Sequence, residues 1–165
     1  MNRPPLTIRQ ATESDFEQLC DLFAELDALH REARPDLFRK PAGLPRERAH
    51  IAGLIAGPES AILVAADPGS RHLHGLATLI VRTMPENPVR PERRLVEIDN
   101  FVVRKDARRQ GIGTMLIEQA ECWALRKGFD AVELAVHEFN AEAMRFYEAV
   151  GFSTSLRRMT RRLSA

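Results

Sequence analysis

From Leu95 to Val150 the chain switches repeatedly between two apolar periods, and this constrains its fold more than any other feature. Leu95 to Val103 reads as a strand, and Leu116, Ile117, Ala120, Trp123 and Ala124 then recur at helical spacing. Ala131 to Val136 is strand-like again, and Asn140 to Val150 is helical, with Gly128 and Gly151 placed to stop the two helices. Strand, helix and strand in that order require a crossover, because the helix must pack back onto the sheet.

The first half has a different rhythm. Leu6 to Arg9 alternates as a short strand, and Thr12, three residues before Asp15, is an N-cap signature. It precedes a stripe of Phe16, Leu19, Cys20, Phe23 and Leu26 on a helix predicted to reach about His30. Prolines 35, 41 and 45 make Arg31 to Leu44 a loop, and a second helix is predicted from near Pro45 to Gly57. Ala61 to Ala66 and Gly75 to Arg82 form a hairpin across Asp67-Pro68-Gly69, with a proline-marked loop at Met84–Pro91 before the fourth strand. A last strand is predicted near Arg157 to Leu163. The pattern is α/β, antiparallel first and crossing over second, in one domain spanning residues 1–165.

Charge and composition narrow the partners. Lys and Arg total 24 against 23 acidic residues, and a formal charge of +1 argues against a nucleic-acid backbone as the main partner. No apolar run approaches the roughly 20 residues that cross a bilayer, and Met1 to Pro5 is followed by alternating strand-like residues rather than the apolar stretch expected of a signal peptide. Cys20 and Cys122 lie far apart in helical patterns and suggest a reducing cytoplasm, with Cys122 expected as a small core residue. His72 and His74 are too few for a metal site, and a solvated turn is expected there. His137 reads as a loop histidine. The pairs Arg157-Arg158 and Arg161-Arg162 suit protection of an edge strand.

Chemistry concentrates where the fourth strand meets the third helix. Val103 runs into Arg104-Lys105-Asp106-Ala107-Arg108-Arg109-Gln110-Gly111-Ile112-Gly113, and the amphipathic helix follows at once. Unpaired N–H groups at a helix start, with glycines allowing close approach, make an anion site, and Arg108 and Arg109 add positive charge. A dinucleotide fingerprint would need glycine where Leu116 stands, and the Gly-Lys-Ser/Thr of a P-loop is missing. On spacing alone, Arg108-x-x-Gly111-x-Gly113 is either a diphosphate turn or an ordinary strand-to-helix turn with solvated arginines.

That segment resembles the coenzyme A signature of the GNAT superfamily of N-acetyltransferases. Asn140-Ala141-Glu142-Ala143-Met144-Arg145-Phe146-Tyr147, ending at Gly151-Phe152, is similar to the same family's N-x-x-A-x-x-F-Y-x-x-x-G-F segment. The resemblance implies a largely antiparallel sheet of about six or seven strands, about four helices, and a V-shaped opening between the fourth and fifth strands. It implies acetyl-coenzyme A as donor, with the pantetheine arm on the backbone of Phe101, Val102 and Val103. Arg108 and the amides of Arg109, Gln110, Gly111, Ile112, Gly113 and Thr114 would take the diphosphate, and Asn140 the pantetheine region. No metal is implied, and a homodimer is plausible by the same analogy.

Direct transfer to an amine needs a base, support for the oxyanion and an acid for the departing thiolate. By resemblance Tyr147 is that acid; alternatively its ring packs beside Met144 and Phe146 and only anchors the cofactor. Glu97 and Asp99 interrupt an apolar strand and share a face with Leu95, Phe101 and Val103 if alternation is unbroken. Each is either the base or a strand carboxylate paired with an arginine, and a bulge would change which one faces the cleft. The acceptor is expected to be a primary amine of a small molecule, lined by the Arg31–Leu44 and Met84–Pro91 loops. The alternatives are a protein lysine or N-terminus, or a coenzyme A sensor without turnover.

Overall fold

The computed structural model describes residues 6–163, so the Met1 to Pro5 lead-in lies outside the described residues. The chain forms two compact units, one ending at Ala135 and one beginning at Val136.

The first unit holds a five-stranded sheet in the order β1 (Thr7–Gln10), β2 (Ser60–Ala66), β3 (Leu73–Met84), β4 (Arg93–Val103) and β5 (Val132–Leu134). The first four strands are antiparallel and β5 joins β4 in parallel, across the crossover helix α3 (Ile112–Arg126). β2 is buried at every position from Ala61 to Ala66, so both faces of the sheet are covered. Ile62, Val64 and Ala66 point to one face, where α1 (Phe16–Ala33) and α2 (Arg48–Ala56) bring Phe16, Leu19, Leu22, Phe23 and Ile51. The opposite face packs on Leu116, Ile117, Ala120, Trp123 and Ala124 of α3. Gly75 lets the two approach: a Cβ there would sit 2.7 Å from the Val102 carbonyl oxygen and 3.3 Å from Leu116.

The entry to α1 follows from its sequence. The Thr12 amide donates to Asp15 Oδ2 at 2.8 Å, and Arg9 clamps the same buried carboxylate at 2.7 and 2.9 Å. Those bonds, led by the one from Arg9, hold the Asp15 carboxyl below the usual carboxylate range.

Several boundaries differ from expectation. α1 runs three residues past His30, and α2 begins at Arg48 rather than near Pro45, its first bond running from Ile51 N to Glu47 O. Cys122 is exposed, not a core residue, because it falls two positions from Ala120 and so on the far side of the buried stripe of α3. His74 does not sit in a solvated turn: it is buried in β3, with Nε2 2.9 Å from Asp67 Oδ2.

The second unit contains α4 (Ala141–Ala149), capped by Asn140, whose Oδ1 accepts from Ala143 N at 3.1 Å. Gly151, at a φ of 100°, ends it, and Phe152 N bonds back to Tyr147 O. The strand predicted near Arg157 to Leu163 is not formed. Those residues are exposed and make no ladder, and alternating side chains without a paired backbone do not make a strand, so the described residues give five strands rather than six or seven.

Candidate active site

Two features of the first unit build the site. The first is the turn into α3. A short 3-10 turn, Lys105–Ala107, leads to Arg108 in an extended conformation, Arg109 at φ 62° and Gly111 at φ 78°. Arg109 is the one non-glycine residue at positive φ among the described residues, a conformation that costs about 1 kcal/mol or more. Gly111 is the N-cap of α3, so the amides of Ile112, Gly113 and Thr114 begin the helix without helical acceptors. Nothing lies within 4 Å of a Cβ built on Gly111; positive φ, not crowding, calls for glycine here, and the backbone is open to approach. The Arg108 guanidinium folds back, with Nε donating to Val103 O at 3.2 Å, while Arg104 N bonds His74 O and its Nε bonds Leu73 O. Lys105 N donates to Glu25 on α1 at 2.7 Å. Arginines tied to carbonyls fix the turn's shape, and the open amides with the helix dipole suit a diphosphate.

The second feature is a bulge in β4. Thr78 pairs with Asn100 but Leu79 pairs with Ile98, which leaves Asp99 as the extra residue. Alternation breaks there. Leu95, Glu97 and Asp99 share a face, as predicted, but Phe101 and Val103 lie on the opposite one, while Asn100 and Val102 join the α1/α2 side. The same bulge stands where β4 leaves β5: pairing covers Val96 to Ile98 against Val132 to Leu134 and stops. From Asp99 to Val103, β4 pairs with β3 alone among the described strands, which is the opening expected between the fourth and fifth strands.

A polar chain crosses the α1/α2 face at the bulge. Arg82 Nε and Nη2 donate to both Glu97 oxygens at 3.2 and 3.1 Å, and Nη2 stands 3.5 Å from Asp99. Asp99 Oδ2 accepts from Asn100 Nδ2 at 2.6 Å, and Asn100 Oδ1 is reached by Arg46 at 3.5 Å. Arg46 also grips Asp27 of α1 at 2.9 and 3.2 Å, with its guanidinium 4.7 Å from the centre of the Phe23 ring. Glu97 is therefore chelated, whereas Asp99 has a weaker hold on its arginine and is more exposed. Thr78, opposite Asn100, buries its hydroxyl without a hydrogen-bond partner among the described residues. Sequence reasoning missed Asp27, Arg46, Asn100, Arg82 and Thr78. They come from four segments, and only a prediction of register and loop path would have united them.

In the second unit Tyr147 rests on α4 between Phe146 and Phe152, ring centres 5.4 and 5.8 Å away. Burial pushes its phenol up to about 12. Of the remaining candidates, Cys20 is buried and its thiol is raised by that burial, which makes it a poor nucleophile. Among the described residues no three metal-binding side chains cluster, and no helix is long and apolar enough to cross a membrane.

Comparison with known proteins bears directly on this geometry. The sequence pattern of the acetyltransferase (GNAT) family matches residues 22–152. The chain belongs to that family. An uncharacterized N-acetyltransferase of Methanocaldococcus jannaschii, MJ1207, is 41% identical over 61 residues, which is 37% of this chain and 27% of that protein. The fold of this family member also matches a tetramutant of the BH1408 protein from Bacillus halodurans, at 26% identity and a TM-score of 0.88 over 95% of this chain and 99% of that one. The aminoglycoside N-acetyltransferase AAC(6')-Iy, solved in complex with CoA, shares the fold at a TM-score of 0.69 and 18% identity, over 96% and 100% of the two chains.

Proposed function

We propose that this chain is an acetyl-coenzyme A-dependent N-acetyltransferase, a single transferase domain that acetylates a primary amine of a small molecule. The observation that carries the reading is the bulge at Asp99, which sets a carboxylate at the point where β4 and β5 part. Family membership, and the crystallised relative that holds CoA, support the donor.

The turn fits a diphosphate. Amides from Arg109 to Thr114 and a glycine N-cap with free space above it would bind one, and the outer edge of β4 at Phe101 to Val103 would take the pantetheine amides. When bound, the coenzyme supplies a thioester carbonyl for an amine to attack. Asp99 receives the proton that the acceptor's ammonium must lose, directly or through a water, since an alkylamine with a pKa near 10.4 is almost wholly charged at neutral pH. Glu97 holds Arg82 and is a positioning residue for Asp99. A β4 amide at the bulge serves the oxyanion. As the C–N bond forms and the C–S bond breaks, Tyr147 gives its proton to the sulfur, and the second proton shed by the nitrogen on becoming an amide restores the phenol through solvent; a phenol pushed up to about 12 keeps its proton at neutral pH. Asn140 uses Oδ1 to cap α4 and offers its NH2 group to the pantetheine arm.

The test is thiol release from acetyl-coenzyme A over a panel of small amines, amino acids and peptides. The reading expects turnover with small amines, and Asp99→Asn should lower kcat by about 100-fold, the usual share of a general base. Turnover confined to peptides would move the acceptor class to proteins. Thermal stabilisation by the coenzyme with no turnover on any amine would make the chain a sensor and end the proposal.

A further inference from the structure

The acidic face at the bulge carries its own cations. Asp27, Glu97 and Asp99 bring three negative charges, and Arg46 and Arg82 are bonded into the same network. Neither arginine is a loose surface group. Arg46 is held by Asp27, by the Pro45 carbonyl at 2.7 Å and by the Phe23 ring, and it reaches Asn100 beside Asp99. Arg82 chelates Glu97, and that contact is the main reason its guanidinium holds its proton more firmly than usual. Three carboxylates against two guanidiniums leave the connected network one negative charge. A second observation concerns its floor: the buried group opposite Asn100 is the Thr78 hydroxyl, neutral and without a partner among the described residues. The face thus offers one uncompensated charge and a neutral hydrogen-bonding atom.

From this we infer that the acceptor carries a single ammonium group, and that Arg46 and Arg82 are resident counter-cations that exclude polyamines and polycationic aminoglycosides. The inference rests on the acetyl-transfer reading and names the acceptor class for that site. An incoming ammonium takes Asp99. A second ammonium on the same molecule would look for Asp27 or Glu97 and meet a guanidinium already bonded there, a repulsive element of the kind that sets specificity. The two guanidiniums sit on either side of Asp99 along the network, so turning the acceptor around does not relieve the clash.

The experiment uses butylamine, putrescine and spermine as probes, titrated by calorimetry into the full chain saturated with coenzyme A and assayed in parallel for thiol release. The binding ratio needs no turnover, so it separates this inference from the catalytic reading. Turnover with none of them but an intact ratio removes the catalyst and leaves the charge selection standing. For the wild type spermine is expected to bind more weakly than butylamine, by roughly fivefold, because its further ammonium groups meet the two resident guanidiniums. Arg82→Gln, which frees Glu97 and Asp99, should tighten spermine relative to butylamine by roughly fivefold, the ratio that one exposed ion pair gives. Arg46→Gln should do the same from the Asp27 side, and Arg82→Lys should restore the wild-type ratio. Arg82 is 46% exposed, so its replacement opens no cavity. Spermine bound by the wild type as tightly as butylamine or more tightly, or an unchanged ratio in both Gln variants, would overturn the inference.

Discussion

Replacing Tyr147 by Phe removes one oxygen and leaves the ring between Phe146 and Phe152. Burial pushes the phenol up to about 12, so at pH 8 only roughly one molecule in ten thousand carries phenolate. A tyrosine at its ordinary pKa near 10 would cut kcat in half at pH 10, whereas this one holds its proton to about pH 11. The wild type should therefore show a kcat plateau that continues past pH 10. Tyr147→Phe should lower kcat by about 100-fold, close to 2.7 kcal/mol of transition-state stabilisation, with KM for acetyl-coenzyme A changed less than about threefold. Stability offers an independent readout. The folded pKa lies above that of an unfolded tyrosine, so the contribution is whole below pH 10 and is lost as pH rises toward 12. Two pKa units correspond to about 2.7 kcal/mol, which wild type should lose over that window and the Phe variant should keep. Thiol-release kinetics from pH 6 to 11 and denaturant melts from pH 9 to 12 measure both. Unchanged kcat in the variant would refute the acid role, and a wild-type decline centred near pH 10 that vanishes in the variant would refute the raised phenol.

Other changes probe the supports. Asp15→Asn breaks the clamp from Arg9 on a carboxylate that is 2% exposed and should cost about 2 kcal/mol in denaturant melts at pH 7. Because that carboxyl is depressed in the fold, its contribution stands above the unfolded pKa near 4 and disappears as pH falls through the folded value. The gap between Asp15→Asn and wild type should close in acid; a pH-independent gap would contradict the assignment. Gly111→Ala keeps φ at 78° at a cost of about 1–2 kcal/mol and sets a methyl group in the open space over the α3 amides. Coenzyme A affinity should fall with it, and calorimetry showing full affinity would remove the diphosphate from this turn.

The sequence by itself determined the local elements and their order. The stripe on α1, the buried run of β2, the glycine-led entry to α3 and the glycine stop after α4 all depend on neighbours within a few residues, where periodicity and turn chemistry speak directly. The family resemblance lay in two such local segments, and it brought the expected opening beside β4. Long-range pairing decided the rest. A strand at Arg157 to Leu163 was legible as a pattern, yet a strand exists only where a partner backbone meets it. The bulge at Asp99 depends on register against β3, and one extra residue reverses every side chain beyond it, so Phe101 and Val103 leave the face that Glu97 and Asp99 share. Arg46, read as the start of a helix, became part of the site because its guanidinium meets an aspartate nineteen residues earlier and an asparagine fifty-four residues later. Such meetings are set by how the layers pack, and no period in a single chain records them.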